Sequence, residues 1–382
     1  MRTPAPMAGN AGAAATPNDT QRTRTMQGRT IPRHLAGFLF SVSTVACAAT
    51  QPADIRMGNN LEAAAAPPPA DVLVVNKIKT NGNLPGNLSF LDLASGKVAA
   101  HVPVGREPHE VAVSADGRYA VVSNTGSSKE PSNSLSVFDV EKRKEIHRID
   151  LGPLWNPHGL LARNGLFYFT AEGARAIGAY DPVRNRLAWV MGTGQDQTHM
   201  LAATKDGKTL VATNRGSGTV SIFQLTKPDP LAAGSWKETI LPVGRNPEGV
   251  DVNPEGTQAW VGCRGGNEIA IVDLAQQKVI DRVPTPNQPI ARIKFALEGK
   301  LVLATDPWHG ELLFIDPTSH QTLKSLPMGQ GCEAIFIEPD GKHARIGVTT
   351  EDNVVEVDLA TMSVVRRISA GQAPDGMAWI GK

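Results

Sequence analysis

Apolar residues in this chain fall in short runs, many of them alternating with small or polar residues, and each run is closed by glycine, an Asp-Gly pair or a polar loop. Period-two runs bounded by turn residues predict β-strands rather than helices. Residues 105–151 show the unit. VAVS (111–114) leads into the turn Ala115-Asp116-Gly117, and YAVVSN (119–124) follows it. LSVFDV (135–140) comes after a polar loop, and KEIHRIDLG (144–152) ends in glycine. Four strands joined by tight turns predict an antiparallel meander.

The meander recurs along the chain. Its opening phrase reads VGREPHEVAVSADG, LGPLWNPHGLLARNG, TGQDQTHMLAATKDG, VGRNPEGVDVNPEG, TPNQPIARIKFALEG, MGQGCEAIFIEPDG and finally AGQAPDGMAWIGK. One position aligns His109, His158, His199, Glu248, Ile290, Glu333 and Asp375, spaced 41 to 49 residues apart. A four-stranded repeat of that length is the signature of a propeller blade. The first blade lacks its inner strand: it begins at VLVVN (72–76), and the end of the chain, Gly376-Met377-Ala378-Trp379-Ile380, supplies the missing piece. The expected fold is therefore all-β, a seven-bladed β-propeller of four-stranded antiparallel blades closed by the C-terminal strand, which leaves no open edge at the seam. Third strands end in aspartate in six blades (Asp92, Asp139, Asp181, Asp273, Asp316 and Asp358), with Gln224 the exception. Such an aspartate is expected to bond the backbone of its own turn.

The phrase VG-x-x-P-x-x-VAVS-x-DG-x-x-x-VV-x-N followed by SVFD resembles the YVTN-repeat seven-bladed propellers, many of them exported bacterial proteins. The resemblance spans residues 70–382 and implies the fold; it implies little about activity, because function resides in sites placed on a fold. Local departures are Thr285-Pro286 in place of a glycine, Ile290 in place of a polar residue, and an insertion, KPDPLAAGSW, at 227–236.

Composition adjusts this picture at the N-terminus. Residues 1–48 carry five arginines and one aspartate, so the remainder holds 33 basic and 36 acidic side chains despite a formal charge of +1 overall. No basic run remains there, which predicts no nucleic-acid partner and no anionic membrane surface. The apolar stretch LAGFLFSVSTVACAAT (35–50) follows Arg29, Arg33 and His34 and ends in Ala46-Cys47-Ala48, the pattern of a signal-peptide core and its cleavage site. It predicts a periplasmic or secreted protein with no membrane span after signal removal. Lipidation of Cys47 is the less favoured variant, and Met26 is an alternative start. The expected division is 1–48 as disordered N-terminus and signal, 49–71 as an Ala/Pro linker and 72–382 as the propeller, a monomer. The three cysteines, Cys47, Cys263 and Cys332, form no CxxCH motif, so no covalent haem is expected.

The aligned ring must open on the same face as the loops after the second strands, because the first two strands of a blade form a hairpin. Those loops carry Lys77, Thr125, Glu172, Arg215, Arg264, Asp306 and Thr350, with Trp308, His309 and Glu351 beyond. Histidines on three adjacent blades followed by a glutamate (His109, His158, His199 and Glu248) are a ligand inventory for one divalent ion, zinc, iron or manganese. Glu333 or Asp375 is then the candidate general base, and Arg215 and Arg264 the grip on an anionic ligand, with Glu172, Asp306 and Trp308 as further rim contacts. The other account of the same residues is a wet channel lined by polar side chains, with each arginine paired to a neighbouring carboxylate. Two functions follow: a propeller that binds a small molecule or a periplasmic protein at its charged mouth, or a metal-dependent lyase or lactone hydrolase. Cys332, beside Glu333, has no histidine partner implied and is not expected to act as a nucleophile.

Overall fold

The computed structural model describes residues 69–78 and 84–381. The expected signal segment, the alternative start, Cys47, His34 and most of the expected linker lie outside these residues. The described chain forms seven four-stranded antiparallel sheets, each built from consecutive strands except the first. There Pro374–Trp379 pairs with Val72–Asn76, in the register Val72↔Trp379, Leu73↔Ala378 and Val74↔Met377. The seven-bladed propeller and its closure by the last strand are both as the sequence predicts.

Each blade packs both of its faces against neighbours, which shapes the apolar pattern. Second strands lose polar alternation: Val72–Asn76 and Leu166–Ala171 are buried at every position. Outer strands such as Lys144–Asp150 keep an exposed face. The core is correspondingly divided among the blade junctions. Leu73, Phe90, Val111 and Phe138 join the first and second blades, and Val72, Val74, Val354 and Ile368 join the seventh to the first. The insertion at 227–236 lies between the third and fourth blades, where Trp189 donates to the Pro230 carbonyl at 2.8 Å and Trp236 packs against Tyr168.

The third-strand aspartates do what their position predicts. Asp92 accepts from Ala94 N–H at 3.0 Å, Asp273 from Gln276 at 2.7 Å and Asp358 from Thr361 at 2.7 Å. The turns at Gly117, Gly207 and Gly341 have positive φ and lie at the far ends of the inner strands from the aligned ring.

Blade six corrects the alignment. Ile290 is fully buried in the wall between the fifth and sixth blades and does not reach the channel. The inner strand Arg292–Ala296 starts later than its equivalents, so Ala291 takes the ring position. The backbone shows this: Gly249 lies against Ala291 O and Arg292 Cα just as Gly159 lies against His199 O and Met200 Cα.

Candidate functional site

The ring residues stand where inner strands begin, and the local sequence fixes them there. Three occur as Pro157-His158-Gly159, Pro247-Glu248-Gly249 and Pro374-Asp375-Gly376. A Cβ on Gly159 would sit 2.4 Å from His199 O, and one on Gly376 2.6 Å from His109 O. Neighbouring inner strands thus touch backbone to backbone near the axis, a contact only glycine permits. Hydroxyls on the second strands pin the ring: Ser123 donates to His158 O at 2.7 Å, Thr213 to Glu248 O at 2.8 Å, and Thr170 to His199 O. Sequence reasoning missed these three, although their hydroxyls recur near the ends of the second strands.

His109, His158 and His199 do converge. Their rings pack at a tilt, with centroids 4.4 Å apart for His109–His158 and 4.0 Å for His158–His199. They line a cavity of about 240 Å³ together with Lys77, Arg215, Glu248, Arg264, Ala291, Arg292, Glu333 and Asp375. The histidines have different partners. His109 Nδ1 is 3.0 Å from Asp375 Oδ2. His199 Nδ1 is hydrogen-bonded to Glu172, and its Nε2 lies 3.7 Å from Glu248. Among the described residues, His158 Nδ1 is buried without a partner.

Charge follows from these contacts. Burial holds His158 well below its ordinary value, reinforced by His199, His109 and Arg292, so it is neutral. Burial opposes protonation of His199 as well, but Glu172 and Glu248 outweigh it and raise that imidazole. Glu248 is kept well below the carboxylate range, against the effect of burial, by His199, Arg215 and Arg264. Arg264 Nη1 reaches both oxygens of Glu248, at 3.0 and 3.1 Å, and Arg215 Nε lies 3.7 Å from it.

The expected four-residue ligand set is therefore divided. One donor atom each from His158, Glu172 and His199 lie within 4.8 Å of one another, so Glu172, expected only at the rim, stands among the histidines. Glu248 is committed to the two arginines expected to grip an anion, and His109 to Asp375. Of the two accounts of Arg215 and Arg264, pairing with a nearby carboxylate is what the structure contains.

On the far side, Lys77 Nζ lies 2.9 Å from Glu333 and 3.0 Å from Asp375. Those two carboxylates raise its amine in spite of burial. Burial works against ionisation of Asp375, yet Lys77, His109 and Arg292 hold it far below the usual range. Arg292, unforeseen from the alignment, projects to the axis, with Nη2 2.6 Å from Glu110 and 3.4 Å from Asp375 and Nη1 2.8 Å from Met200 Sδ. Below it a second cavity of about 390 Å³ continues past Leu161, Phe295 and Ile337. Arg292 borders both cavities and divides the channel.

The rim is less uniform than expected. Trp308 is 63% exposed and stacks over Arg264, whose guanidinium is 5.6 Å from the ring centre. Asp306 is fully buried and turned into its own loop, accepting from Trp308 N–H at 3.0 Å and His309 N–H at 3.2 Å; it presents no carboxylate to a ligand. Cys332 is buried in its inner strand, donates to Asp306 O at 3.3 Å, and burial pushes its thiol up to about 12, which leaves it inert.

No protein-family model matches the sequence, and no curated protein matches it. Solved structures do. The chain is similar to hydrazine synthase of Kuenenia stuttgartiensis, with a TM-score of 0.61, 21% identity, and coverage of 72% of this chain and 90% of that one. It is similar to a functionally unknown protein from Desulfotomaculum acetoxidans, with a TM-score of 0.66, 14% identity and coverage of 81% and 99%. It is also similar to the periplasmic gluconolactonase of Pseudomonas aeruginosa, with a TM-score of 0.63, 14% identity and coverage of 81% and 98%. At these identities the likeness establishes the seven-bladed propeller fold alone.

Proposed function

We propose that the protein binds a small polar ligand at the mouth of its channel, in the cavity ringed by the three histidines. The carrying observation is His158 Nδ1, a buried ring nitrogen with no partner among the described residues, in a cavity otherwise lined by paired charges. A buried polar atom without a hydrogen bond costs about 1–3 kcal/mol, and an incoming donor or cation removes that cost. The volume, about 240 Å³, is below the roughly 300–1,000 Å³ of drug-sized sites. The donors Lys77, Arg215 and Arg264 and the acceptor Glu333 line it, which suits a hydroxylated carboxylate of monosaccharide size. Calorimetric titration with D-gluconate and related sugar acids tests this. Saturable binding that disappears in His158→Ala supports it; no binding across the panel, or binding that survives that change, refutes it.

A second reading makes the same pocket a metal-dependent lactone hydrolase or lyase, and the His158–Glu172–His199 grouping favours it. Here Glu333, which is partly exposed, is better placed to accept a proton than Asp375, which is locked in ion pairs. Turnover of a sugar lactone that stops on chelation would support it, and inactivity of metal-replete protein towards lactone and lyase substrates would end it. Membership of the YVTN-repeat propellers and export belong to the same proposal. They are supported by the repeat phrases and the apolar segment at 35–50, and no helix among the described residues is long and apolar enough to cross a membrane.

A further inference from the structure

Two clusters among the described residues have the composition of a metal site: His158, Glu172 and His199 at the channel mouth, and Glu338, Asp340 and His343 at the opposite face. The second is already satisfied. Glu338 receives Arg345 Nε at 2.5 Å, and His343 Nδ1 lies 2.8 Å from Asp340. The first is not, since His158 is only 5% exposed and its Nδ1 has no partner.

We propose that the mouth holds one first-row divalent cation of zinc(II) character, ligated by His158, Glu172 and His199, with Glu248 orienting His199 from behind. This rests on the mouth being the ligand-binding site. Two imidazoles and one carboxylate form a donor set suited to such a cation and leave positions open for a small molecule. A hydrogen bond between His199 and Glu172 now joins two of the three donor groups. The donor atoms, within 4.8 Å of one another, close by side-chain rotation to bond lengths of ~2.0–2.2 Å.

The surroundings favour this set over the one expected from the repeat. A histidine ligand is commonly fixed by a carboxylate on its other nitrogen, and Glu248 stands 3.7 Å from His199 Nε2. Arg264 in turn fixes Glu248. His109 is held by Asp375 and packs its ring against His158, which makes it a wall of the site and not a ligand.

The test uses the full chain without a histidine tag, stripped with chelator and titrated with zinc(II), with cobalt(II) as a spectroscopic probe. One equivalent should bind, with a cobalt spectrum of nitrogen and oxygen ligation. Glu172→Gln and His158→Ala should abolish stoichiometric binding. Glu248→Gln should weaken it about 10–100-fold, while His109→Ala and His343→Ala should retain it. Circular dichroism melts report folding, and Glu172→Gln, nearly isosteric, serves if His158→Ala does not fold. Absence of a stoichiometric site, or binding indifferent to Glu172→Gln, overturns the proposal, as does equal loss in His109→Ala. If stripped protein binds D-gluconate but no zinc, the cation proposal fails while the ligand-binding assignment stands; if zinc binds and no sugar acid does, the reverse holds.

Discussion

Arg292 of the sixth blade and Glu110 of the second come from opposite sides of the propeller axis and meet there, Nη2 to Oε1, at 2.6 Å. They can do so because the residues in the same layer on the third, fifth and first blades are Gly159, Gly249 and Gly376, which put no side chain between them. The pair ties together blades that are not neighbours in the ring, and Arg292 borders both the mouth cavity and the one below.

Removing one member should therefore cost more than the pair contributes. Arg292→Met strands Glu110 as a buried carboxylate, and breaking a buried pair in this way costs about 3–5 kcal/mol. The double variant Arg292→Met, Glu110→Gln should recover a large part of that loss. Urea denaturation of the two single variants and the double variant checks this. Additive losses would mean that the two side chains do not interact energetically.

The contrast between what the sequence conveyed and what it withheld runs along the same axis. Closure was legible because VLVVN lacked a partner at one end of the chain and Pro374–Trp379 had none at the other. Convergence of His109, His158 and His199 was legible because a repeat converts one aligned position into a ring. Arg292 was hidden by one extra residue before its strand, which shifted Ile290 into the alignment and left the true ring position to Ala291. Partner choice was hidden too. Whether Glu248 faces a metal or Arg264, and whether Glu172 reaches His199, depends on ångström-scale distances between blades that repeat spacing does not encode.

The close approach of inner strands predicts an unusually severe Gly→Ala change. At Gly159 the added methyl would lie 2.4 Å from His199 O and 2.9 Å from Met200 Cα, both backbone atoms that cannot rotate away. Overpacking typically costs about 1–3 kcal/mol, and a backbone clash places this variant at or above the upper end. The same shift would part His158 from His199, so ligand or metal affinity should fall along with the melting temperature. A Gly159→Ala protein with unchanged stability would contradict the backbone-to-backbone contact.

Acid sensitivity should be traceable in part to the seventh blade, away from the mouth. Arg345, 2% exposed, lies 2.6 Å from Glu356, and Arg366 Nε lies 2.5 Å from the same carboxylate. Burial would raise Glu356, but the two arginines overcome it and hold the carboxyl below its ordinary value of 4.5. A group depressed in the folded state stabilises above its unfolded value, and that contribution is lost as pH falls through the folded value. Wild type should lose stability as pH falls below about 4.5, and Glu356→Gln should be weaker at neutral pH with a shallower acid decline. Urea midpoints between pH 3 and 7 decide it; parallel curves for the two proteins would remove Glu356 from the acid response.

The closing strand carries the most consequential prediction. Deleting residues 374–382 removes the inner strand of the first blade and, with Asp375, the anion shared by Lys77, His109 and Arg292. It also bares Val72–Asn76, five residues buried at every position, as an unpaired apolar edge of the kind that recruits other chains. Two effects should follow together. The melting temperature should fall by more than about 10 °C, because several kcal/mol are lost at about 2–4 °C each for domains of 150–250 residues. The truncated protein should also self-associate, detected by light scattering at concentrations where the full chain is monodisperse. The single change Asp375→Asn separates the causes, since it disturbs the charge network while leaving the strand paired. It should lower stability without inducing association. Association in Asp375→Asn, or a truncated chain that melts like the intact one, would show that the seam is not what holds the ring shut.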